Sequence, residues 1–428
     1  MYKIEKPLEN RNGTLYIDKC DTLDLAREYD TPLYVYSENR IRENYKRAFS
    51  AFKKVYPKFR LFYAIKANNN LAILNILRQE GAGFDAACPE EIELALKAGA
   101  KPNEILYSGV YHRNEELKFA LKKKVRINLE GISQIRRLLK IGIPDFISFR
   151  INPGISGGSI KGLVFAGPDA KFGIQEEKAL EAYKIAKEAG IKRFGMHMMT
   201  GSCVLEPEYF AAAASKLLDI AGRIRKELGI EFEIIDIGGG LGVTYKPGEK
   251  ELDIEKAAKK VADVFKKKIK ENGLGNPMLL IEPGRFIVCD SAILLTKVHS
   301  IKDAKKRFVG VDAGMNNLLR PMLYDAYHQI FVANKLNEKE TEKVNVVGPV
   351  CENTDQLAKD RALPHIEEGD LLAVLNAGAY GFSMSSRYNS RPMCAEVLCN
   401  NGSSEIIRER ESFEDISLHV KVPDRLKK

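Results

Sequence analysis

Between residues 60 and 282, short apolar runs alternate eight times with longer amphipathic segments. The runs cover 60–66, 83–88, 105–109, 126–130, 146–152, 194–199, 232–238 and 278–282. Segments of helical period such as 89–98, 115–123 and 132–140 lie between them. Strands separated by crossover helices build a parallel sheet. Eight such units predict an α/β fold of the closed (β/α)8 type, a TIM-type barrel. An open doubly wound sheet is the alternative, and the even spacing fits closure better.

The pattern changes after residue 285. Period-2 runs at 292–300, 307–312, 344–350, 371–376 and 395–399 predict a mostly β C-terminal domain. The first 36 residues read as short strands and one short helix, ending in Pro32-Leu-Tyr-Val-Tyr36. A barrel offers those strands no partner, so they are expected to join the β domain. A helix follows from Ser37, a suitable cap, to about residue 56. The expected division is 37–283 for the barrel, with 1–36 and 284–428 for the β domain. Residues 152–172 form a glycine-rich stretch without period, expected to be a lid.

A barrel places its chemistry just after each strand. The run ends here carry Lys66, Asp85, Arg150, His197, Gly238-Gly-Gly240 and Glu282-Pro-Gly-Arg285. Charged, histidine and glycine residues recur at one register on separate strands. Lys66 ends the run Arg60-Leu-Phe-Tyr-Ala-Ile-Lys66, ahead of three asparagines. An amine so placed loses hydration, which lowers its pKa and suits imine formation. On this segment alone, a lysine snorkelling from a strand end is the plainer reading. The glycine run can cradle a phosphate with backbone N–H groups, or be a tight turn. It lacks a P-loop lysine and a dinucleotide-site context, so the phosphate is that of a small cofactor. Glu282 can pair with a protonated ring nitrogen, and Arg285 can grip a carboxylate or phosphate. The same tetrapeptide can equally form a salt-bridged turn. A reactive lysine, a phosphate loop and a carboxylate for a ring nitrogen together point to pyridoxal 5'-phosphate. An acid at that nitrogen favours decarboxylation over racemisation.

Composition narrows the classes. The net charge of +9 comes from lysines spread along helix faces, with no basic stretch interleaved with aromatics. No nucleic acid is expected as a partner. Seven scattered cysteines without a C-x-x-C pair argue against a disulfide framework and a zinc site. No metal is expected. No apolar run reaches 18 residues and the N-terminus has no apolar core, so neither a membrane span nor a standard secretion signal is expected. A reducing cytoplasm fits.

In this order, these residues resemble the group IV pyridoxal-phosphate-dependent decarboxylases, which join an alanine-racemase-like barrel to a β domain. Tyr63-Ala-Ile-Lys-Ala-Asn68 is similar to their Schiff-base motif, Gly238-Gly-Gly240 to the phosphate loop and Glu282-Pro-Gly-Arg285 to the pyridine and substrate motif. The resemblance covers nearly the whole chain. It implies that Lys66, Asp85, His197, Ser202, Gly238, Gly239, Gly240, Glu282, Gly284, Arg285 and Tyr380 bind the cofactor. Arg320-Pro-Met-Leu-Tyr-Asp-Ala-Tyr-His328 resembles the substrate segment, which implies substrate contacts for Arg320 and Tyr324. Cys351-Glu-Asn-Thr-Asp355 resembles the segment a partner subunit lends. Cys351 is then the proton donor and Glu352 holds the distal amino group. Arg285 and Tyr380 also face the substrate, and Asn389-Ser-Arg-Pro392 completes the C-terminal signature. The resemblance implies a homodimer with shared active sites, a small amino-acid substrate, and decarboxylation of meso-2,6-diaminopimelate to L-lysine. The alternatives are another amino acid (ornithine- or lysine-like, or tethered to a carrier protein) and a non-catalytic homologue. One position departs from the family pattern: Met199 stands where a histidine usually stacks on the cofactor ring. A thioether packs against a ring but brings neither charge nor a ring hydrogen bond.

Overall fold

A computed structural model describes residues 4–155, 157–158, 166–167 and 169–427 of the chain. It contains two compact units. One comprises Ile41–Thr244 and Gly248–Val288; the other comprises Met1–Arg40, Tyr245–Pro247 and Cys289–Lys428.

The first unit is the barrel. Its eight parallel strands are Phe59–Ala64, Gly83–Ala86, Ile105–Tyr107, Arg126–Leu129, Phe146–Asn152, Arg193–His197, Phe232–Asp236 and Met278–Ile281. Each pairs with the next, and the eighth pairs with the first through Ile281 and Leu61. Phe62, Leu106, Phe146, Ile234 and Leu280 meet from five strands in one buried cluster. Helices cover the outside with a single apolar stripe each. Ile254–Glu271 buries Ala257, Ala258, Val261, Ala262 and Phe265, while Lys266, Lys267 and Lys270 face water. Much of the basic charge is such solvated lysine.

The first strand stops two residues earlier than its apolar run. Lys66 lies in a single 3-10 turn, Ile65–Ala67. The asparagines explain this. Tyr63 Oη donates to Asn68 O (3.1 Å), Asn68 Oδ1 accepts from Asn70 N–H (3.0 Å), and Asn70 Oδ1 caps the helix Leu71–Gln79 at Ala72 N–H (2.9 Å). Side-chain acceptors here replace the strand ladder with a turn.

The second unit is mostly β. Leu33–Ser37, buried throughout, pairs antiparallel with Ala292–Asp303 and parallel with Ala395–Asn400. Outward on one side follow Arg307–Val311, Glu342–Val347 and Gln356–Leu363; on the other, Ser403–Arg408. Leu371–Val374 pairs with Ala292–Asp303 and carries Ile330–Val332. The expectation that the N-terminal strands join the β domain holds, and Leu33–Ser37 enters this sheet itself. Leu8–Arg11, Thr14–Ile17 and Cys20–Asp21 instead form a sheet of their own. Ser37 caps the helix Glu38–Val55, accepting from Arg40 N–H at 3.1 Å. Of the expected lid, residues 156, 159–165 and 168 lie outside the described residues. Its flanks are tied by Asn152, whose Oδ1 accepts from Gly154 N–H (3.1 Å) and Gly167 N–H (2.9 Å).

Candidate active site

The C-terminal ends of the barrel strands gather the titratable groups. Lys66 Nζ is hydrogen-bonded to Asp85 Oδ2, and Ser108 Oγ donates to Asp85 Oδ1. The Lys66 side chain is 43% exposed while that of Asp85 is fully buried. The amine is therefore anchored on a buried carboxylate while its side chain stays partly exposed. Burial raises the Asp85 carboxyl above its ordinary value, the charge of Glu282 adds to this, and Lys66 opposes it.

A second group joins strands six, seven and eight. His197 Nε2 lies 3.0 Å from Glu282 Oε2, with both side chains buried. Asn128 Nδ2 lies 3.5 Å from the other ring nitrogen of His197. Asp236, at the end of strand seven, accepts from Gly238 N–H through Oδ1 at 2.8 Å. Glu282 Oε1 and Asp236 Oδ2 are both buried, and a protonated Asp236 shares a hydrogen bond with the Glu282 carboxylate. Burial and the charge of Glu282 push the Asp236 carboxyl well up. Burial pushes Glu282 up as well, but His197 and Lys66 outweigh it and hold Glu282 down at about 2. The pair thus keeps its negative charge on Glu282. These three residues also have the makings of a cation site, since ligand atoms of His197, Asp236 and Glu282 lie within 4.8 Å of one another. A buried carboxylate held in its charged form fits a protonated ring nitrogen at least as well.

The glycine run forms a cradle that side chains would fill. A Cβ on Gly238 would sit 2.3 Å from Met198 O, one on Gly239 2.4 Å from Glu282 O, and one on Gly240 2.7 Å from Gly201 O. Gly238 and Gly240 also have positive φ, at 72° and 91°. Gly239 N–H points at Met199 Sδ (3.3 Å), so the thioether rests on the loop. Beside it, Arg285 Nη2 donates to Ser202 Oγ at 3.4 Å. Gly284 allows close approach too, because a Cβ there would meet Ala67 Cβ at 2.7 Å. Arg150 is buried, lies over the Phe172 ring (4.4 Å) and reaches Met199 O at 3.4 Å.

The other expected residues belong to the β unit. Arg320 opens the short helix Arg320–Tyr324 and is 1% exposed. It pairs with no carboxylate among the described residues; its Nη1 donates to His328 Nε2 (2.8 Å) and its guanidinium lies over Tyr245 (4.7 Å). A buried cation without an acid beside it is costly unless an anion arrives. Tyr324 is half-buried. Cys351 and Glu352 are exposed, with Cys351 N–H bonded to Asn389 Oδ1 (2.7 Å) and Glu352 Oε1 accepting from Thr354. Tyr380 is half-buried at φ 57°, a strained backbone for an aromatic residue.

Sequence reasoning overlooked Ser108, Asn128, Asp236 and Tyr245. Asp236 had a signal, standing just before the glycine run at a strand end. Nothing local marks Tyr245, which joins the β unit from inside the barrel's stretch of sequence.

An acid-flanked lysine and a glycine cradle on a TIM-type barrel, with a β unit, define a class. The pyridoxal-binding domain of the pyridoxal-dependent decarboxylases matches residues 42–289, and the chain belongs to that family. It is 50% identical over 420 residues to a diaminopimelate decarboxylase of Methanothermobacter thermautotrophicus, covering 98% of both chains. Among solved structures it is similar to diaminopimelate decarboxylase from M. jannaschii in complex with L-lysine (32% identity, 98% and 99% coverage, TM-score 0.87). The Helicobacter pylori enzyme complexed with L-lysine gives 36% identity, 92% and 98% coverage and a TM-score of 0.85.

Proposed function

We propose that this chain decarboxylates meso-2,6-diaminopimelate to L-lysine as a pyridoxal 5'-phosphate-dependent homodimer in the cytoplasm. The observation that carries the chemistry is the buried Glu282 carboxylate at the end of the eighth strand, held 3.0 Å from His197 Nε2. The full-length likeness to enzymes named diaminopimelate decarboxylase supports the substrate.

The 37–283 part holds most of the cofactor, and the 1–36 and 284–428 part makes substrate and dimer contacts and adds Gly284, Arg285 and Tyr380 to the cofactor's grip. Lys66 tethers the cofactor and Asp85 steadies that amine. Gly238, Gly239, Gly240, Ser202, Gly284, Arg285 and Tyr380 hold its phosphate end. When bound, the cofactor draws off the electrons left as carbon dioxide departs. Glu282 keeps a proton at the ring nitrogen, and His197 fixes the carboxylate that does so. Arg285, Arg320, Tyr324, Tyr380 and Glu352 read the substrate. The partner subunit's Cys351 returns a proton to Cα, replacing the lost carboxylate.

The test is a carbon dioxide release panel with absorbance spectra. Diaminopimelate should be turned over and should change the cofactor band; K66A should lack both the band's Lys66-dependent form and turnover. Turnover of ornithine or lysine instead of diaminopimelate would move the substrate. Met199, lying on the glycine loop in place of the family's histidine, is the residue that would favour that second reading. A colourless, inert protein would mark a non-catalytic homologue.

A further inference from the structure

His328 is completely buried, and both its ring nitrogens have partners that can act in only one way. Nδ1 lies 2.8 Å from Leu375 O, which only accepts, so Nδ1 carries the proton. Nε2 lies 2.8 Å from Arg320 Nη1, which only donates, so Nε2 carries a lone pair. The ring is thus a neutral imidazole in the Nδ1–H form, and its orientation is set by the backbone of residue 375. The Tyr245 ring meets His328 edge-on, with centroids 5.4 Å apart, and lies under the Arg320 guanidinium. Tyr245 is fixed in turn: its Oη lies 3.0 Å from Cys289 Sγ, whose thiol donates to Asn376 O at 3.3 Å. Arg361 Nη1 bonds His328 O at 2.6 Å, anchoring the backbone of the same residue.

We infer that His328 is a positioning residue that fixes the Arg320 guanidinium by accepting one of its N–H bonds. One N–H of Nη1 is held and one face of the planar group is covered, so the fork has lost its rotation. A planar fork held in advance binds a carboxylate with less loss of freedom than a mobile one. Lysine or a protonated histidine could not replace the neutral acceptor without setting two cations together in a buried place. The inference rests on the reading that Arg320 is among the residues that read the substrate, and takes that role to be the grip on a carboxylate.

Two measurements test it on the cofactor-loaded dimer. Nitrogen-15 NMR of histidine-labelled protein should show one ring in the Nδ1–H tautomer, absent from H328Q. If no ring outside H328Q's remaining set shows that tautomer, the inference falls. Kinetics with diaminopimelate should show a KM raised on the order of tenfold for H328F, with kcat changed far less and cofactor affinity unchanged. R320K, run beside it, separates the two ideas. If R320K raises KM and H328F does not, His328 does not position the fork. If R320K itself leaves KM unchanged, the reading of Arg320 fails and takes this inference with it.

Discussion

At the scale of single residues, the decisive contrast is between Asp236 and Glu282. Two carboxyls in one buried place cannot both ionise cheaply. His197, 3.0 Å from Glu282 and buried with it, decides which one keeps the charge. E282Q preserves the shape and removes the charge. Its kcat should fall on the order of 10²-fold with KM little altered, read from steady-state carbon dioxide release. An E282Q enzyme as fast as the wild type would remove Glu282 from the chemistry. Much of this was legible in the sequence, because barrel chemistry sits at predictable strand ends and the strand runs were visible. The choice of Glu282 over Asp236 was not, since it depends on a histidine from another strand.

At the scale of elements, the helix Pro89–Lys97 shows how a cap can carry a pH response. Glu91, in its first turn, reaches back to accept Ala87 N–H at 2.6 Å. Burial raises its carboxyl from 4.5 to about 7, with Asp85 adding to the shift and Ala87 N–H and Lys66 opposing it. A raised carboxyl favours the folded state while protonated. Its stabilisation is complete below 4.5 and is lost as pH rises through about 7. E91Q still accepts the Ala87 bond but does not titrate. Urea midpoints of the cofactor-free protein should decline across this window for wild type and stay flatter for E91Q; parallel curves would refute the assignment. Elements with a strong apolar period were readable throughout the barrel. The strands Gln356–Leu363 and Ser403–Arg408 were not, because both sit at sheet edges, where one-sided or slight burial leaves no alternation to see. The early end of the first barrel strand was also hidden, since two asparagine side chains, those of Asn68 and Asn70, decide it.

At the scale of the whole molecule, the proposed sharing of sites makes a sharp prediction. K66A and C351A should each be inactive alone. Dissociated, mixed and reassociated, they should recover roughly a quarter of wild-type activity, because half of random dimers carry one intact site out of two. No recovery in mixed dimers shown to form would place Cys351 in the same subunit's site. The strand Leu33–Ser37 has a consequence of another kind. Both its neighbours, Ala292–Asp303 and Ala395–Asn400, are made long after it. During synthesis this apolar ribbon must wait on the order of tens of seconds for company. Ribosome-bound chains halted after residue 290 should therefore resist protease over the barrel strands while being cut near residue 35. Protection at both places would show that something other than its native neighbours shelters the ribbon on the ribosome.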